Sequence, residues 1–397
     1  MLAAPAVALP RGCPGPSGWL LHWTRQWRAL LALLSLIGMN CTSGWPPRPS
    51  RRVRCYGGLV LVVRTAHCVV VILSMKDSYD RNKDNYAMLL CLCEIALKCV
   101  VTAAAQFVML IHCKNVCRLT ECVLLYSRSG SPTSDCGAMV FVGPAYASGL
   151  GMVLGLAVYL IASNADESLT EVSYVLGELT SAVPLLVFWI MQLLLTSLSV
   201  GFARDARRHV GGWVSEEKAR TAIRPPVLLP VVSLRGLRVR QQFLHDMVLQ
   251  HNSAFGWCFL CCLAHGFMEA VICLYLGVSY FRRSLDNVEV VKPRLLFNPW
   301  FFTWGILQVT MFSGMCVLGQ LLSDIHGRIF CDIQTARVSN SRFCRATKME
   351  LQSFAQQIQR QDNRPGMFGL LYYDLTTMKT GFATLVTYII VLCQFEP

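Results

Sequence analysis

The sequence predicts an all-α membrane protein with seven transmembrane helices, its N-terminus in the cytoplasm and its C-terminus outside. Three observations predict this fold. Hydrophobic residues make up 54% of the 397 residues and charged residues only 15%, which is outside the balance of soluble domains. The apolar residues come in runs of about twenty or more, the length that crosses ~30 Å of hydrocarbon. The segments between these runs alternate between rich and poor in basic residues. A soluble cytoplasmic enzyme is therefore excluded, and we expect no enzymatic activity.

Seven segments are long and apolar enough to span a bilayer. A membrane segment of this kind is helical because all backbone polar groups must be satisfied within it. The predicted spans are Cys55 to Ser74, Tyr86 to His112, Gly137 to Ser163, Ser181 to Ala203, Ala254 to Tyr280, Leu295 to Leu322 and Thr376 to Phe395.

The orientation follows from where the basic residues lie. The N-terminal segment and every second loop after it hold 26 of the 36 Lys and Arg residues, whereas the three other loops hold 7. Cytoplasmic loops carry the basic excess. The N-terminus is therefore predicted to lie inside, the opposite of a G-protein-coupled receptor. The basic excess thus indicates topology, and we expect no nucleic-acid partner.

A shorter apolar run, Ala29 to Met39, follows Arg25 and Arg28. It is too short to span the membrane. One interpretation is an interfacial helix with Trp23 and Trp27 at headgroup depth. The alternative is the apolar core of a signal peptide, which the long proline-containing leader disfavours.

Nineteen cysteines occur in the chain. Most lie in apolar runs, where a free thiol behaves as a small hydrophobe. Cys113 and Cys117 are not accompanied by a second pair or by histidines at zinc-site spacing, so we predict no metal site and no cofactor.

The last span ends in a nine-residue pattern, Thr387-Tyr388 followed by five apolar residues and then Gln394-Phe395. This pattern resembles the one that marks the end of the seventh helix in the insect gustatory receptor family. Weaker similarity extends backward, to positions near the last helix and near the fifth: Gly366, Phe368, Asp374, Leu375, Thr377, His251, Asn252, Phe255 and Gly256.

The resemblance implies a ligand-gated, non-selective cation channel of the plasma membrane. It implies a homotetramer, or a heteromer with related subunits, whose seventh helices line a central pore. Each subunit would bind a small-molecule tastant in the outer half of its other helices. The chain would then divide into an N-terminal cytoplasmic segment (1–54), a ligand-binding bundle (55–323), a cytoplasmic assembly segment (324–375) and the pore helix (376–397).

The last helix carries polar residues on one face. Thr377, Thr380, Thr384, Thr387 and Gln394 recur at spacings of 3, 4, 3 and 7 residues, which places them on one stripe. The stripe is suited to line a pore, with Gln394 and Phe395 at its gate. Alternatively, the hydroxyls bond backbone carbonyls and Gln394 bonds a neighbouring helix. The pore and gate candidates are Thr380, Thr384, Thr387, Tyr388, Gln394 and Phe395.

Two carboxylates lie within predicted spans. Glu94 precedes Lys98 by four residues, a spacing typical of an ion pair along one helix face. Glu269 follows His265 by four residues, so the imidazole could hydrogen-bond to it. Ionisable groups in a membrane are costly and are candidates for function. Both carboxylates are candidate ligand contacts, with packing networks as the alternative.

Aromatic residues cluster at the predicted outer ends of several helices, where rings can stack on sugars or alkaloids. Most would serve as interfacial anchors instead. The better pocket candidates are Trp189 and Trp304, which lie deeper, and Tyr275 is a further candidate.

The cytoplasmic stretch from Ser341 to Asn363 shows an amphipathic helical pattern, with Leu351, Phe354 and Ile358 on one face. It could hold subunits together, or it could lie on lipid or in solvent.

Two other classes of membrane protein agree less well with the sequence. A G-protein-coupled receptor would need the opposite orientation. A transporter or membrane enzyme would need repeats, phosphate loops or nucleophile motifs that we do not find. The identity of the tastant, whether sugar or bitter compound, is left open.

Overall fold

A computed structural model describes most of the chain: residues 18–36, 38–39, 42–43, 46–81, 86–129, 186–209, 229–285, 297–339, 343, 345–367 and 371–394. The described residues form eight helices and two short hairpins. The helices are α1 (Gly18–Leu36), α2 (Arg51–Arg81), α3 (Tyr86–Ser129), α4 (Leu186–His209), α5 (Leu229–Leu285), α6 (Phe297–Ser339), α7 (Arg345–Arg360) and α8 (Leu375–Gln394).

The predicted all-helical membrane fold is confirmed. In the described part of the chain, five helices are long and apolar enough to cross a membrane: α2, α3, α4, α5 and α8. They match the first, second, fourth, fifth and seventh predicted spans. The sixth predicted span lies in α6. The third, Gly137 to Ser163, lies outside the described residues.

Three helices run well past the predicted spans. Helix α5 begins at Leu229, so much of the segment that we predicted as a basic loop is helical. Helices α3 and α6 likewise continue to Ser129 and Ser339. All three extensions lie at one end of the bundle, the end predicted to be cytoplasmic. The hydropathy pattern ends where the lipid ends, whereas the helix continues wherever backbone hydrogen bonds and side-chain packing support it.

The main core lies among α3, α4, α5 and α6. Its centre is formed by large apolar side chains with no exposed surface, among them Leu119, Leu194, Phe202, Leu234 and Leu322. Helix α3 packs chiefly against α5, and α5 against α6. This core fixes the frame on which the other helices are placed.

Helix α1 packs onto the core instead of lying free at an interface. Trp27 is buried and its Nε1 donates a hydrogen bond to Thr120 Oγ1 of α3 at 2.9 Å. Trp27 therefore packs into the protein, where α3 satisfies both its ring and its N–H, and its depth in the membrane stays a prediction. Gly38, at φ 73°, ends the helix, with bonds from Gly38 N to Ser35 O and from Met39 N to Leu34 O.

Helix α7 confirms the amphipathic pattern. Leu351, Phe354 and Ile358 are all buried, and they join the main core through α5 and α6. On its polar side, Glu350 accepts a hydrogen bond from Arg238 of α5 at 2.9 Å. The apolar face is thus covered by the chain itself and does not face lipid.

A hairpin connects α7 to α8. Strands β3 (Gly366–Met367) and β4 (Leu371–Tyr372) are antiparallel, as are β1 (Thr42–Ser43) and β2 (Arg48–Pro49) nearer the N-terminus. Asp374 then caps α8, because its Oδ1 accepts a hydrogen bond from Thr377 N at 2.8 Å. The hairpin therefore sets where the last helix begins.

Candidate functional site

The start of α8 is anchored to two helices of the core. Gly366 N donates to Asn252 Oδ1 of α5 at 3.3 Å, and Asn252 Nδ2 donates to Arg364 O at 3.4 Å. Tyr373 passes so close to α6 that a Cβ added to Gly319 would lie 1.9 Å from the Tyr373 carbonyl oxygen. The base of α8 is thereby held in place by backbone contact.

Tyr373 also belongs to a buried aromatic cluster. Phe188 of α4 stacks on Phe259 of α5 with ring centroids 4.2 Å apart, and Tyr373 meets both rings edge-on at 5.4 and 4.8 Å. His251 lies 4.6 Å from Phe188. Burial raises the pKa of Tyr373 well above its usual value, so the hydroxyl stays neutral at physiological pH.

The rest of α8 is poorly covered by its own chain. Leu385 is the one buried residue among those described in this helix, and it packs with Ala270 and Val271 of α5. Val386, Tyr388 and Ile390 are each 53% exposed. A large apolar surface on α8 is thus left for lipid, for other subunits or for a conduit.

The predicted pore residues lie around this uncovered surface. Thr380, Thr387 and Gln394 are exposed, whereas Thr384 is half-buried. The hydroxyls of the three threonines donate to carbonyls four residues earlier at 2.8 to 3.0 Å, leaving oxygen lone pairs outward. Tyr388 lies edge-on to Phe267 of α5 at 6.3 Å, and Phe395 is outside the described residues.

A cavity of about 450 Å³ lies between α5, α6 and the first half of α8. This volume is typical of small-molecule sites. Most of the wall is apolar, with Leu371 of the hairpin at one side. The side chains and backbone that form it are Phe259, Leu260, Leu263, Ala264, Gly266, Phe267, Ala270, Gln308, Val309, Met311, Phe312, Met315, Leu371, Thr376, Thr377, Thr380, Gly381, Phe382, Thr384 and Leu385.

A buried polar network adjoins the cavity through Gln308. Gln308 Nε2 donates to Glu269 Oε2 at 3.0 Å, and Lys98 Nζ of α3 lies 3.4 Å from Glu269 Oε1. Lys98 also pairs with Glu94 at 3.6 Å, and His265 Nδ1 lies 3.6 Å from Glu269 Oε2. The structure thus joins the two predicted helical pairs into one cluster across three helices.

The predicted ligand-binding residues do not lie together in one pocket of the described structure. Glu94 and Glu269 share the polar network, and Tyr275 is buried six residues beyond Glu269 on α5. Trp189, with its neighbour Phe188, was expected at an outer helix end. It lies near Gly314 of α6 instead.

Phe188 contacts Tyr373, two residues before α8, which is the predicted cytoplasmic end of that helix. The structure thus places the Phe188–Trp189 pair beside the residues that lead into α8, and the role of Trp189 in ligand binding stays a prediction. The side chain of Trp304 lies outside the described residues.

Two parts of the site were missed from sequence. Lys98 was assigned only to Glu94, and Gln308 was not singled out. A polar residue inside the otherwise apolar run from Ile306 to Val309 was the available signal for Gln308. Among the described residues, no group of three or more His, Cys, Asp and Glu side chains is arranged to hold a metal ion.

The family assignment comes from comparison with known proteins. A family model described as "7tm Chemosensory receptor" matches residues 27–397, nearly the whole chain. The chain belongs to the 7tm chemosensory receptor family. It is accordingly a multi-pass membrane receptor.

Solved structures give the same fold for this chemosensory receptor. It is similar to the insect olfactory receptor OR5 from Machilis hrabei in complex with eugenol, with a TM-score of 0.65 at 10% identity, covering 95% of this chain and 99% of that one. It is also similar to a second structure of the insect olfactory receptor OR5 from Machilis hrabei, with a TM-score of 0.63 at 9% identity and the same coverage of both chains. No curated protein matches this sequence.

Proposed function

We propose that this chemosensory receptor is a gustatory receptor: a tastant-gated, non-selective cation channel of the plasma membrane, without enzymatic activity. Four subunits, either identical or including related chains, would surround a conduit lined by α8. The N-terminus lies in the cytoplasm and the C-terminus outside.

The observation that carries this proposal is the surroundings of α8. Among the five described helices that are apolar enough to span a membrane, α8 is the least covered by its own chain, and it buries only Leu385. Its exposed side also bears the hydroxyls of Thr380 and Thr387 and the amide of Gln394. Polar groups on a surface that lipid would cover are unfavourable. If several subunits surround a water-filled conduit, these polar groups face water and not lipid, and the free-energy cost is avoided.

Gating requires that a ligand site be mechanically connected to α8. The cavity described above has α8 as one wall and the core helices α5 and α6 as the others. A change in its contents therefore acts on α8 through direct contact, without an intervening domain.

The test is whole-cell current under voltage clamp from cells expressing the chain, alone and with related subunits, during application of sugars and alkaloids. We expect an inward cation current. Gln394→Ala should shift the relative permeability of cations, because the amide lies on the uncovered side of α8. Gln352→Ala, at an exposed position on α7, removes the same group outside α8 and should leave the relative permeability of cations unchanged.

The alternative is a seven-span receptor that signals through a G protein. An epitope placed after Pro397 distinguishes the two, because antibody should label it on intact cells in the channel orientation. Labelling only after permeabilisation, with no evoked current at verified surface expression, would contradict the proposal.

A further inference from the structure

We infer that the cavity between α5, α6 and α8 is a ligand site for a compact, mostly apolar molecule that carries one hydrogen-bond donor, with Gln308 Oε1 as the acceptor. This inference deepens the proposed function by naming a ligand class, and it rests on that function only for the effect on gating. Binding itself does not depend on conduction.

The direction of the Gln308 amide follows from its partner. The end of the amide that faces a carboxylate must be the nitrogen, because an oxygen there would be repelled. Nε2 is therefore the end that donates to Glu269 Oε2 at 3.0 Å. Lys98 Nζ, 3.4 Å from the other Glu269 oxygen, keeps that carboxylate in place from α3.

Gln308 Oε1 is then left as an acceptor at the cavity wall. It lies beside Gly266, where an added Cβ would be 3.1 Å away, so the absence of a side chain at Gly266 leaves room next to it. No described residue donates a hydrogen bond to this oxygen. A ligand hydroxyl in the cavity can donate to it.

The remaining wall determines the rest of the ligand. It is formed mainly by Leu, Val, Met, Phe and Ala side chains. The hydroxyls of Thr380 and Thr384 already donate to backbone carbonyls, so they add acceptor lone pairs but no donors, too few partners for the many hydroxyls of a sugar. A sugar would leave several hydroxyls without partners there, at a cost for each. A molecule with one hydroxyl and an apolar body leaves none.

The ligand would act directly on the helix proposed to line the pore. Gly381 of α8 approaches α6 so closely that a Cβ there would lie 2.8 Å from the Phe312 ring. Both residues line the cavity. Filling the cavity therefore acts on the spacing between α6 and α8.

The test is direct binding to the purified full-length protein in lipid nanodiscs, with thymol, p-cymene and sucrose as probes. Thymol and p-cymene differ only by the hydroxyl. We expect thymol to bind about 5-fold more tightly than p-cymene, which corresponds to one hydrogen bond of ~1 kcal/mol. Sucrose should show no binding in this cavity.

Two variants locate the site. Gln308→Leu keeps the size but removes the acceptor, and it should abolish the preference for thymol over p-cymene. Gln320→Leu is the control, because Gln320 bonds Asp324 on the same helix and lies outside the cavity. Ala264→Phe, at an exposed position on the cavity wall, should weaken both probes.

Three outcomes would overturn the inference. One is that thymol and p-cymene bind with equal affinity and that Gln308→Leu changes neither affinity. This result is expected if the cavity is a site for a lipid acyl chain, which has no hydrogen-bond donor. The second is binding that is insensitive to Ala264→Phe. The third is no binding of either probe to the folded wild type. Sugar-evoked current with any of these results would leave the proposed channel function intact, whereas thymol binding without a change in current would leave the ligand site intact and would contradict only its effect on gating.

Discussion

Helices α4 and α8 have similar apolar character but opposite surroundings. In α4, 72% of the most apolar window is buried in the chain, compared with 6% in α8. Both are long and apolar enough to cross a membrane, so composition does not distinguish them. The difference indicates that α4 is a structural element of the subunit, whereas α8 is positioned for contacts that one chain does not supply.

The largest expected effect compares a buried ring in α4 with an exposed side chain in α8. Phe188→Ala removes a ring that packs on Phe259, His251 and Tyr373, and should lower the free energy of unfolding by about 3–5 kcal/mol. Val386→Ala, at a position 53% exposed in the single chain, should cost less than ~1 kcal/mol in the dissociated subunit. Chemical unfolding in micelles measures both values. Equal losses would remove the distinction between the two helices.

The next effect concerns the contact that joins α8 to the core. Gly319→Ala places a Cβ against the Tyr373 carbonyl and should destabilise the protein by about 1–3 kcal/mol. Gly327→Ala is a matched control eight residues later on α6, because no atom lies within 4 Å of its added Cβ. That variant should be neutral or slightly stabilising. Surface expression and melting temperature report the difference, and a well-tolerated Gly319→Ala would mean that the base of α8 is not fixed there.

The smallest effect is a pH dependence of the hairpin before α8. Hydrogen bonds from Arg364 hold the pKa of Asp362 below its usual value of 3.8, with both Nε–Oδ1 and Nη2–Oδ2 at 3.0 Å. The pair therefore stabilises the fold above about pH 4, and its contribution is lost as the pH falls through the lowered pKa. Because both side chains are 48% exposed, we expect under ~1 kcal/mol.

The measurement for this pair is the melting temperature of wild type and Asp362→Asn between neutral and acidic pH. The two proteins should differ most at neutral pH and converge as Asp362 is protonated. A difference that persists unchanged into acid would mean that ionisation of Asp362 is not the cause.

Much of the fold could be predicted from the sequence because membrane spans and amphipathic faces depend on local periodicity. The buried face of α7 followed from the spacing of Leu351, Phe354 and Ile358. The pairs Glu94–Lys98 and His265–Glu269 followed from the four-residue repeat of a helix.

The contacts between distant segments could not be predicted in this way. Lys98 and Glu269 are 171 residues apart, and their contact depends on how α3 packs on α5. The two motif segments around Asn252 and Gly366 resembled the family separately, but only the structure shows that they are hydrogen-bonded to each other. The cavity likewise depends on three helices whose spacing no local pattern encodes. The pore and gate assignments stay predictions.

The length of α5 has a mechanical consequence. Its 57 residues make a rod about 86 Å long at 1.5 Å per residue, far longer than the ~30 Å of hydrocarbon that a membrane offers. Arg240 of α5 forms an ion pair with Asp205 of α4 at 3.1 Å. On the same helix, 29 residues further along, Glu269 accepts a hydrogen bond from Gln308 of α6. Because the helix is continuous between these two contacts, a tilt at one of them also displaces the other. A tilt that begins at the buried charges around Glu269 would therefore also displace the contact between Arg240 and Asp205, which lies about 43 Å away along α5.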